Sequence, residues 1–430
     1  MPRVDRVAEI KEKLETGFLG RLLIGAQVQS AAVQENFTEL ASELAAQLRE
    51  LLEAEKLIAA IAYRPKDFWP SLKGSEFCFV DGGVARINLP TSAPMGIRVG
   101  AYYVRPGERE NRERFTFHVQ LVDELYSQAH VTYDDDFSDI QKLQDAARIV
   151  AEAAGAYQAV TANPDLDGLF LHGPLVNPVS PYGLEDFPAF SPGGCRQLLG
   201  ESYNVPADRD DRHFVALYCE ILNSLRDSRV PVFGIVERSA GAAPGIVVEE
   251  FLTSLARQNK LSLRNRDDYL ETITKYRLTD PIIFSMMLSP NEMVGPIAVD
   301  KQGPLHKRPE YWKAKIDQYP KAFVAYLCVT PDSLPIRIEA LKQFAANSRE
   351  AELIFHMSRL LPGYAFPVGL DIVDKYAKVP NWMSRSVTSS HATALLKKAL
   401  KSGDPKVISF AKRVLSTRAR DWLFRPTAEF

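Results

Sequence analysis

The stretch that decides the fold is GSEFCFVDGGVARINLP, residues 74–90. An apolar run from Phe77 to Val80 precedes Asp-Gly-Gly, and a second alternating run follows, a pattern typical of a β-hairpin with its turn at the glycines. Two further strand candidates follow it, IRVGAYYV from Ile97 and FTFHVQL from Phe115. Consecutive strands of this kind predict an antiparallel section of sheet.

Downstream the pattern changes to alternating helices and strands. A helix that Ser138 or Asp139 can cap is predicted to run to about Ala162. The segments LDGLFLHGPL, from Leu166, and VPVFGIVERS, from Val230, then have the continuous apolar character of buried strands. A meander followed by helix–strand alternation predicts an α/β fold, with a mixed sheet flanked by helices.

The composition is that of an ordinary globular protein. Of the 430 residues, 46% are hydrophobic and 25% are charged, which excludes wholesale disorder. Lys and Arg number 52 against 54 Asp and Glu, so the net charge of −2 excludes a globally basic nucleic-acid-binding coat, but not a local basic surface. Four scattered cysteines favour a reducing cytoplasm over a disulfide framework. No membrane span is expected, because no run of about 18 apolar residues occurs.

The common nucleotide-binding and hydrolase motifs are absent, and acidic residues remain as the chemical candidates. Asp81 follows an apolar strand directly, and Gly82 and Gly83 leave space beside it for a metal ion or a phosphate. The alternative is an Asp-Gly turn. Glu152 lies in a helix of small residues that can approach another element closely, and the alternative is a surface pair with Arg148.

Two further candidates lie at the C-terminal side of the chain and at a strand end. Asp371 and Asp374 share one face of a helix that is predicted to start after Pro367, although acidic residues also favour a helix N-terminus without any ligand. His172 ends the strand LFLH, and it lies at the same sheet edge as Asp81 if the two strands are neighbours. Their joint arrangement is what predicts a metal centre.

These motifs, in this order, resemble the NurA nuclease family over roughly residues 70–385. The segment FVDGG around Asp81 resembles a strand-ending Asp-Gly motif of that family. The helix of Glu152 is followed by LFLHGPL, where the family has a strand of the form LLDGPL. Later matching segments are VFGIVERS, LTDPIIFSMML with Asp280, LPIRIEAL and GYAFPVGLDIVDKYAKV.

The resemblance implies an RNase H-like fold and a metal-dependent DNA nuclease that acts on DNA ends and single strands. Mn²⁺, or Mg²⁺, is the implied cofactor, with two ions. The implied catalytic metal ligands are Asp81, Glu152, His172 and Asp374, and Asp371 is the substitute for Asp374. The implied assembly is a cytoplasmic homodimer on a hexameric HerA-type ATPase that translocates DNA, in DNA repair or phage defence.

Two positions depart from the family. His172 stands where the family has aspartate, and Glu237-Arg238 stands where a lysine is common. Histidine is a good ligand for Mn²⁺ but a poorer one for Mg²⁺. The site is therefore tuned to manganese or weakened. One alternative is a catalytically degenerate scaffold that binds and regulates the ATPase motor, and another is an RNase H-like nuclease that acts on RNA.

Basic residues predict DNA contacts in two places. Arg98 and Arg105 lie beside two tyrosines, which suits phosphate contacts and base stacking, although interleaved glutamates also fit a solvated hairpin tip. Residues 385–430 carry ten basic and three acidic side chains, a net charge of +7, and the alternative there is a solvated helical face. The lysines predicted to contact DNA are Lys397, Lys398 and Lys401.

The chain is predicted to have three parts. Residues 1–65 form a helical arm for a dimer or partner contact, residues 66–384 form the nuclease domain, and residues 385–430 form a basic helical segment. Irregular insertions are expected around 175–230 and 259–320. The arm has an apolar seam that packs within the chain or contacts a second subunit. Its residues are Phe37, Ala41, Leu44, Leu48 and Leu51.

Overall fold

The structure is a computed structural model, and it describes residues 21, 42–86, 95–110, 112–126, 140–184, 186–237, 245–303, 306 and 308–413. The strands are β1 (Ile58–Ala60), β2 (Phe77–Arg86), β3 (Met95–Val104), β4 (Glu113–Leu121), β5 (Gly168–His172), β6 (Val232–Val236), β7 (Glu292–Val299), β8 (Ala322–Leu327) and β9 (Ile336–Ala340). The helices are α1 (Ser42–Ala54), α2 (Pro65–Ser71), α3 (Val122–Leu125), α4 (Ile140–Ala162), α5 (Pro192–Leu199), α6 (Phe214–Asp227), α7 (Ile246–Arg257), α8 (Leu263–Lys275), α9 (Asp280–Met287), α10 (Lys313–Ile316), α11 (Arg349–Ser358), α12 (Val368–Ala377) and α13 (Asn381–Ser402). Among the described residues, no helix combines the length and apolar character needed to cross a bilayer.

The nine strands form one mixed sheet in the order β1-β7-β8-β9-β6-β5-β2-β3-β4. Strands β2, β3 and β4 form the predicted antiparallel meander. Strand β5 pairs with β2 in parallel, and β6 pairs with β5 in parallel. The order β4-β3-β2-β5-β6 is the strand order of an RNase H-like core, which is the fold class that the sequence predicted.

Helices cover both faces of this core. Helix α4 packs on β2 and β3 from one side and contacts α6, whereas α12 packs on the same two strands from the other side. Successive residues of β2 alternate between these layers, with Cys78 and Val80 in one hydrophobic cluster and Phe77 and Phe79 in the other. Burial on both faces explains why the strand reads as a continuous apolar run.

Strand β2 passes straight through Asp81-Gly82-Gly83 and pairs residue by residue with β3, so the hairpin turn predicted at Asp81 is wrong. The glycines do not form a turn. They allow the neighbouring helices to pack closely against the strand. A Cβ on Gly82 would lie 2.6 Å from Cγ of Glu152, and a Cβ on Gly83 would lie 2.1 Å from the carbonyl oxygen of Ala377. Both neighbouring helices therefore come within contact of the β2 backbone because no side chain intervenes.

Residues 259–320 are not the irregular insertion that was expected. They contain α8, α9 and the long strand β7, which pairs with β8 and extends the sheet. The apolar run PIIFSMML forms helix α9, with Ile283 and Phe284 buried. A run this short does not distinguish a buried helix from a buried strand by its periodicity.

Helix α1 packs within the chain. Leu44 and Leu48 are buried and Leu51 is half-buried, and the helix contacts α9. The described part of the apolar seam therefore follows the intramolecular alternative. The other two seam residues, Phe37 and Ala41, lie outside the described residues, as do most of the predicted arm, both predicted caps of α4, and the last 17 residues of the basic segment.

Candidate metal centre

Three predicted site residues converge beside the carboxyl end of β5. One ligand atom each from Asp81, His172 and Asp374 lies within 4.8 Å of the others. The parallel register pairs Val80 with Leu171, which sets His172 next to Asp81 on the neighbouring strand. Helix α12 brings Asp374 over these strands because it packs on β2 and β3. The centre thus joins two strands and one helix from distant parts of the chain.

Asp81 and His172 form a hydrogen-bonded pair. Nδ1 of His172 lies 2.9 Å from Oδ2 of Asp81, and the backbone N–H of Gly82 donates to Oδ1 at 2.7 Å. Burial raises the pKa of Asp81, although the bond to His172 opposes this. Burial lowers the pKa of His172, but the carboxylates of Asp81, Asp374 and Glu237 outweigh it, so the net shift is upward. Each of the two groups therefore retains its proton to a higher pH than it would in isolation.

The two acidic residues of α12 have different surroundings. Asp374 belongs to the cluster and accepts a close hydrogen bond from Nζ of Lys378. Asp371 accepts a hydrogen bond from Lys375 at 2.6 Å, and the bonds from Lys375 and Tyr364 lower the pKa of Asp371. Asp371 does not belong to the cluster found among the described residues. The structure therefore brings Asp374, not its predicted substitute, to the centre.

Glu152 approaches β2 from the opposite face of the sheet. Its carboxylate accepts a hydrogen bond from Arg148 at 3.0 Å, yet its side chain is only 13% exposed. Burial raises its pKa to about 7; the charge of Arg148 opposes this shift and the charge of Asp81 adds to it. The predicted pairing with Arg148 is present, but Glu152 is not the surface residue which that alternative described. It lies against Gly82, within electrostatic reach of Asp81, and outside the group of three.

The predicted DNA-contact residues lie in three different places. The guanidinium of Arg98 stacks over the ring of Phe117 at 4.2 Å, and these two residues lie on β3 and β4, the strands that follow β2 in the sheet. Arg105 follows the far end of β3 and pairs with Glu76 at 2.7 Å. Arg98 is therefore near the centre and Arg105 is not. Three exposed lysines lie on α13, and these are Lys397, Lys398 and Lys401.

The sequence reasoning missed two residues that shape the centre. Lys378 neutralises Asp374, and its position four residues later on a predicted helix was a signal that would have found it. Phe366 packs its ring against His172, with ring centroids 5.3 Å apart. No sequence signal pointed to Phe366, because its contact joins two segments that are far apart in the chain.

The donor set fits a divalent cation. Two carboxylates supply the hard oxygen ligands that Mg²⁺ and Mn²⁺ take, and the imidazole adds a ligand that suits transition metals. The short mutual distances show that the three side chains need little rearrangement to share one ion. The imidazole of His172 and the ammonium of Lys378 are the present hydrogen-bond partners of the two carboxylates.

Comparisons with known proteins identify the family. The NurA domain model matches residues 75–379, and no curated protein matches the chain. The crystal structure of the NurA nuclease from Sulfolobus solfataricus is 11% identical, with a TM-score of 0.50 over 93% of this chain and 98% of that one, which shows a shared fold. The crystal structure of NurA with manganese is 12% identical, with a TM-score of 0.39 over 84% and 97% of the two chains. An Endonuclease V from Bacillus subtilis is 9% identical, with a TM-score of 0.27 over 77% and 95%. The strand order and this shared fold confirm the predicted RNase H-like architecture, and the NurA domain model, which covers most of the chain, shows that the chain belongs to the NurA family.

Proposed function

We propose that this chain is a metal-dependent nuclease that hydrolyses phosphodiester bonds in DNA. The observation that carries the proposal is the group of Asp81, His172 and Asp374, whose ligand atoms lie within 4.8 Å at the carboxyl end of a parallel strand. In an open α/β sheet this edge is where ligands bind. A phosphodiester is an anion, and a carboxylate cluster attracts it only through a bound cation, which makes metal-assisted hydrolysis the reaction that fits.

Each residue then has a defined task. A bound divalent ion supplies charge stabilisation to the phosphate and activates water as a nucleophile. Asp81 would hold the ion from a buried, rigid strand, and Asp374 and His172 would complete the ligand set. Without the ion, His172 forms a hydrogen bond to Asp81 through Nδ1. Lys378 and Arg148 hold the carboxylates of Asp374 and Glu152 in place.

We propose two ions, with Mn²⁺ preferred over Mg²⁺. The group of three supplies ligands for one ion, and Glu152, from the other side of β2, would serve a second ion together with Asp81. The imidazole of His172 is the reason for the preference, because histidine is a better ligand for Mn²⁺ than for Mg²⁺.

The experiment is a cleavage assay on matched single strands of DNA and RNA, with Mn²⁺ or Mg²⁺ as the only divalent ion. We expect degradation of the DNA strand, faster in Mn²⁺. Preferential cleavage of the RNA strand would support the alternative of an RNA-directed nuclease. No cleavage of either strand in either metal would contradict the proposed activity.

A catalytically degenerate scaffold is the second candidate, and one observation favours it. The carboxylates of the centre already have internal counter-charges, from His172 to Asp81 and from Lys378 to Asp374. The change His172→Asp separates the two functions, because it restores the family's aspartate. Higher Mn²⁺- or Mg²⁺-dependent activity in His172→Asp indicates an impaired natural site, and lower activity indicates that the histidine is used.

The wider assembly is also part of this proposal. We propose a cytoplasmic homodimer that processes DNA ends on a hexameric HerA-type ATPase, in DNA repair or phage defence, as the family resemblance implies. Of the three predicted parts, 66–384 would supply the nuclease and 385–430 a basic surface, and 1–65 would supply the partner contact through residues other than the buried seam of α1. Co-purification with the ATPase, and a change of its ATP turnover on mixing, test this part independently of cleavage.

A further inference from the structure

We propose that an aromatic ledge beside the metal centre stacks the bases of single-stranded DNA. The ledge consists of Arg98, Phe115, Phe117 and Tyr376. It deepens the proposed function and rests on it, since it assigns the substrate strand a path to the centre. Its position, its exposure and its chemistry each support this role.

The ledge is built by the geometry of β4 and α12. Phe115 and Phe117 are two residues apart on one strand, so their side chains share a face of the sheet, and their ring planes differ by 9° with centroids 6.3 Å apart. Phe115 stacks on Tyr102 at 4.4 Å from inside and contacts Tyr376 at 4.6 Å. The rings are therefore held in place before any ligand binds.

Part of the ledge is exposed to solvent. Tyr376 is 52% exposed, and Phe115, Phe117 and Arg98 are half-buried. The guanidinium of Arg98 lies 4.2 Å from the ring centre of Phe117, and in the described part of the chain no carboxylate is found bonded to it. Val119, 69% exposed, continues the same face along β4. An aromatic surface of this kind, joined to an arginine without an acidic partner, favours a ligand with flat rings and negative charge.

The register connects the ledge to the metal centre. Asp81 pairs with Gly100 on β3, and Gly100 pairs with Phe117 on β4, so Asp81 and Phe117 lie two strand spacings apart, or roughly 10 Å. A Cβ on Gly100 would lie 3.2 Å from Phe117 and 3.3 Å from Val373, which precedes Asp374. This separation allows one or two nucleotides between a cleaved phosphate and a stacked base.

A single strand fits this surface better than a duplex or a second copy of the chain. Bases in a duplex have both faces covered, whereas unpaired bases offer a face to an aromatic ring. A second copy of the chain would have to place a carboxylate against Arg98. Otherwise the contact would bury the unpaired charge of Arg98, which costs free energy. The rings of the ledge can stack on the bases of one strand, and its arginine can contact the phosphate backbone.

The test is fluorescence anisotropy with a labelled oligothymidylate and a matched abasic strand, in EDTA so that cleavage cannot occur. The full-length chain should bind the base-bearing strand more tightly. Tyr376→Ala, and separately Phe117→Leu, which keeps an apolar side chain on the strand, should each weaken that binding about tenfold, as expected for one lost stacking contact. Neither change should alter binding of the abasic strand.

Tyr311→Ala is the matched control, because Tyr311 is 54% exposed and lies outside the ledge. Equal affinity of the wild-type chain for both strands, or wild-type affinity in both ledge variants, would overturn the ledge. Sedimentation gives a further outcome. If both variants convert a dimer to a monomer and base-dependent binding is unchanged, the surface contacts a second copy of the chain instead. Because binding is measured without metal, a chain that binds bases but never cuts contradicts the nuclease and not the ledge.

Discussion

We expect the protonation of His172 and Glu152 to set how strongly the centre binds a cation. The carboxylates around His172 raise its pKa, and burial raises the pKa of Glu152 to about 7. A metal ion must displace the proton from each ligand, so protons compete with it below these pKa values. We therefore expect the affinity for Mn²⁺ to increase with pH.

We expect the Mn²⁺ affinity to rise at least tenfold between pH 6 and pH 8, which is the effect of one released proton per ion over about one pH unit. Isothermal titration calorimetry in buffers of different ionisation enthalpy measures both the affinity and the proton count. His172→Gln should show a shallower pH dependence. A flat affinity over this range would contradict the assignment of these groups as ligands.

At the level of residues, the sequence predicted which residues are candidates for the centre better than it predicted where each lies in the fold. Asp81, His172 and Asp374 were all candidates and do converge. The face from which Glu152 approaches was not predictable, because helical spacing tells which residues share a side of one helix but not which side of the sheet that helix covers. The choice of Asp374 over Asp371 likewise depends on how α12 is rotated against β2 and β3.

At the level of elements, the contact between β2 and the end of α12 positions Asp374. Gly83→Ala should destabilise the fold by about 1–3 kcal/mol, the usual cost of overpacking, because its Cβ would lie 2.1 Å from the carbonyl oxygen of Ala377. The same change should displace α12 and lower Mn²⁺ affinity. Chemical denaturation and metal titration of the variant measure the two effects.

Gly96→Ala is the matched control on the neighbouring strand. The nearest atom to its Cβ, on Leu121, would be 3.7 Å away, which is ordinary van der Waals contact. This variant should keep the stability and the metal affinity of the wild-type chain within error. Equal behaviour of the two variants would show that the approach of α12 to Gly83 does not position the centre.

Helix α13 gives a separate prediction for nucleic-acid binding. Lys397, Lys398 and Lys401 are exposed on it, and if each neutralises one phosphate, changing all three to Gln should reduce the slope of log affinity against log salt by up to about 2. Anisotropy at several salt concentrations measures the slope, and Lys66→Gln, an exposed lysine outside α13, is the control. An unchanged slope would favour the solvated helical face.

The elements themselves were largely predictable from apolar runs, with two instructive failures. Strands β3 and β4 and helix α4 lie where the periodicity placed them, whereas β2 joins two runs that were predicted as separate strands. The turn predicted at Asp81-Gly82-Gly83 failed because glycine permits both turns and close approach, and only the neighbouring helices reveal which is needed. The prediction for residues 259–320 failed because a short apolar run, such as that of α9, has no distinctive period.

At the level of the whole molecule, the centre joins segments that are remote in sequence. Strands β2 and β5 and helix α12 each contribute one ligand, so the group of three exists only when the sheet and its covering helix are assembled. The net charge of −2 conceals a division along the chain, because residues 385–430 carry +7 and the residues before them therefore carry −9. Pairing across β2 and β5 is a long-range contact, which local patterns do not specify.

We propose above that this chain cuts DNA with a metal ion held by Asp81, His172 and Asp374. The most direct measurement is Mn²⁺-dependent degradation of single-stranded DNA by purified wild-type chain and by Asp81→Ala, with the exposed Asp332→Ala as control. We predict wild-type rates in Asp332→Ala and a loss of at least about a hundredfold in folded Asp81→Ala, because metal activation of the water depends on its buried ligand. Degradation by Asp81→Ala at the wild-type rate would contradict metal-dependent cleavage at Asp81.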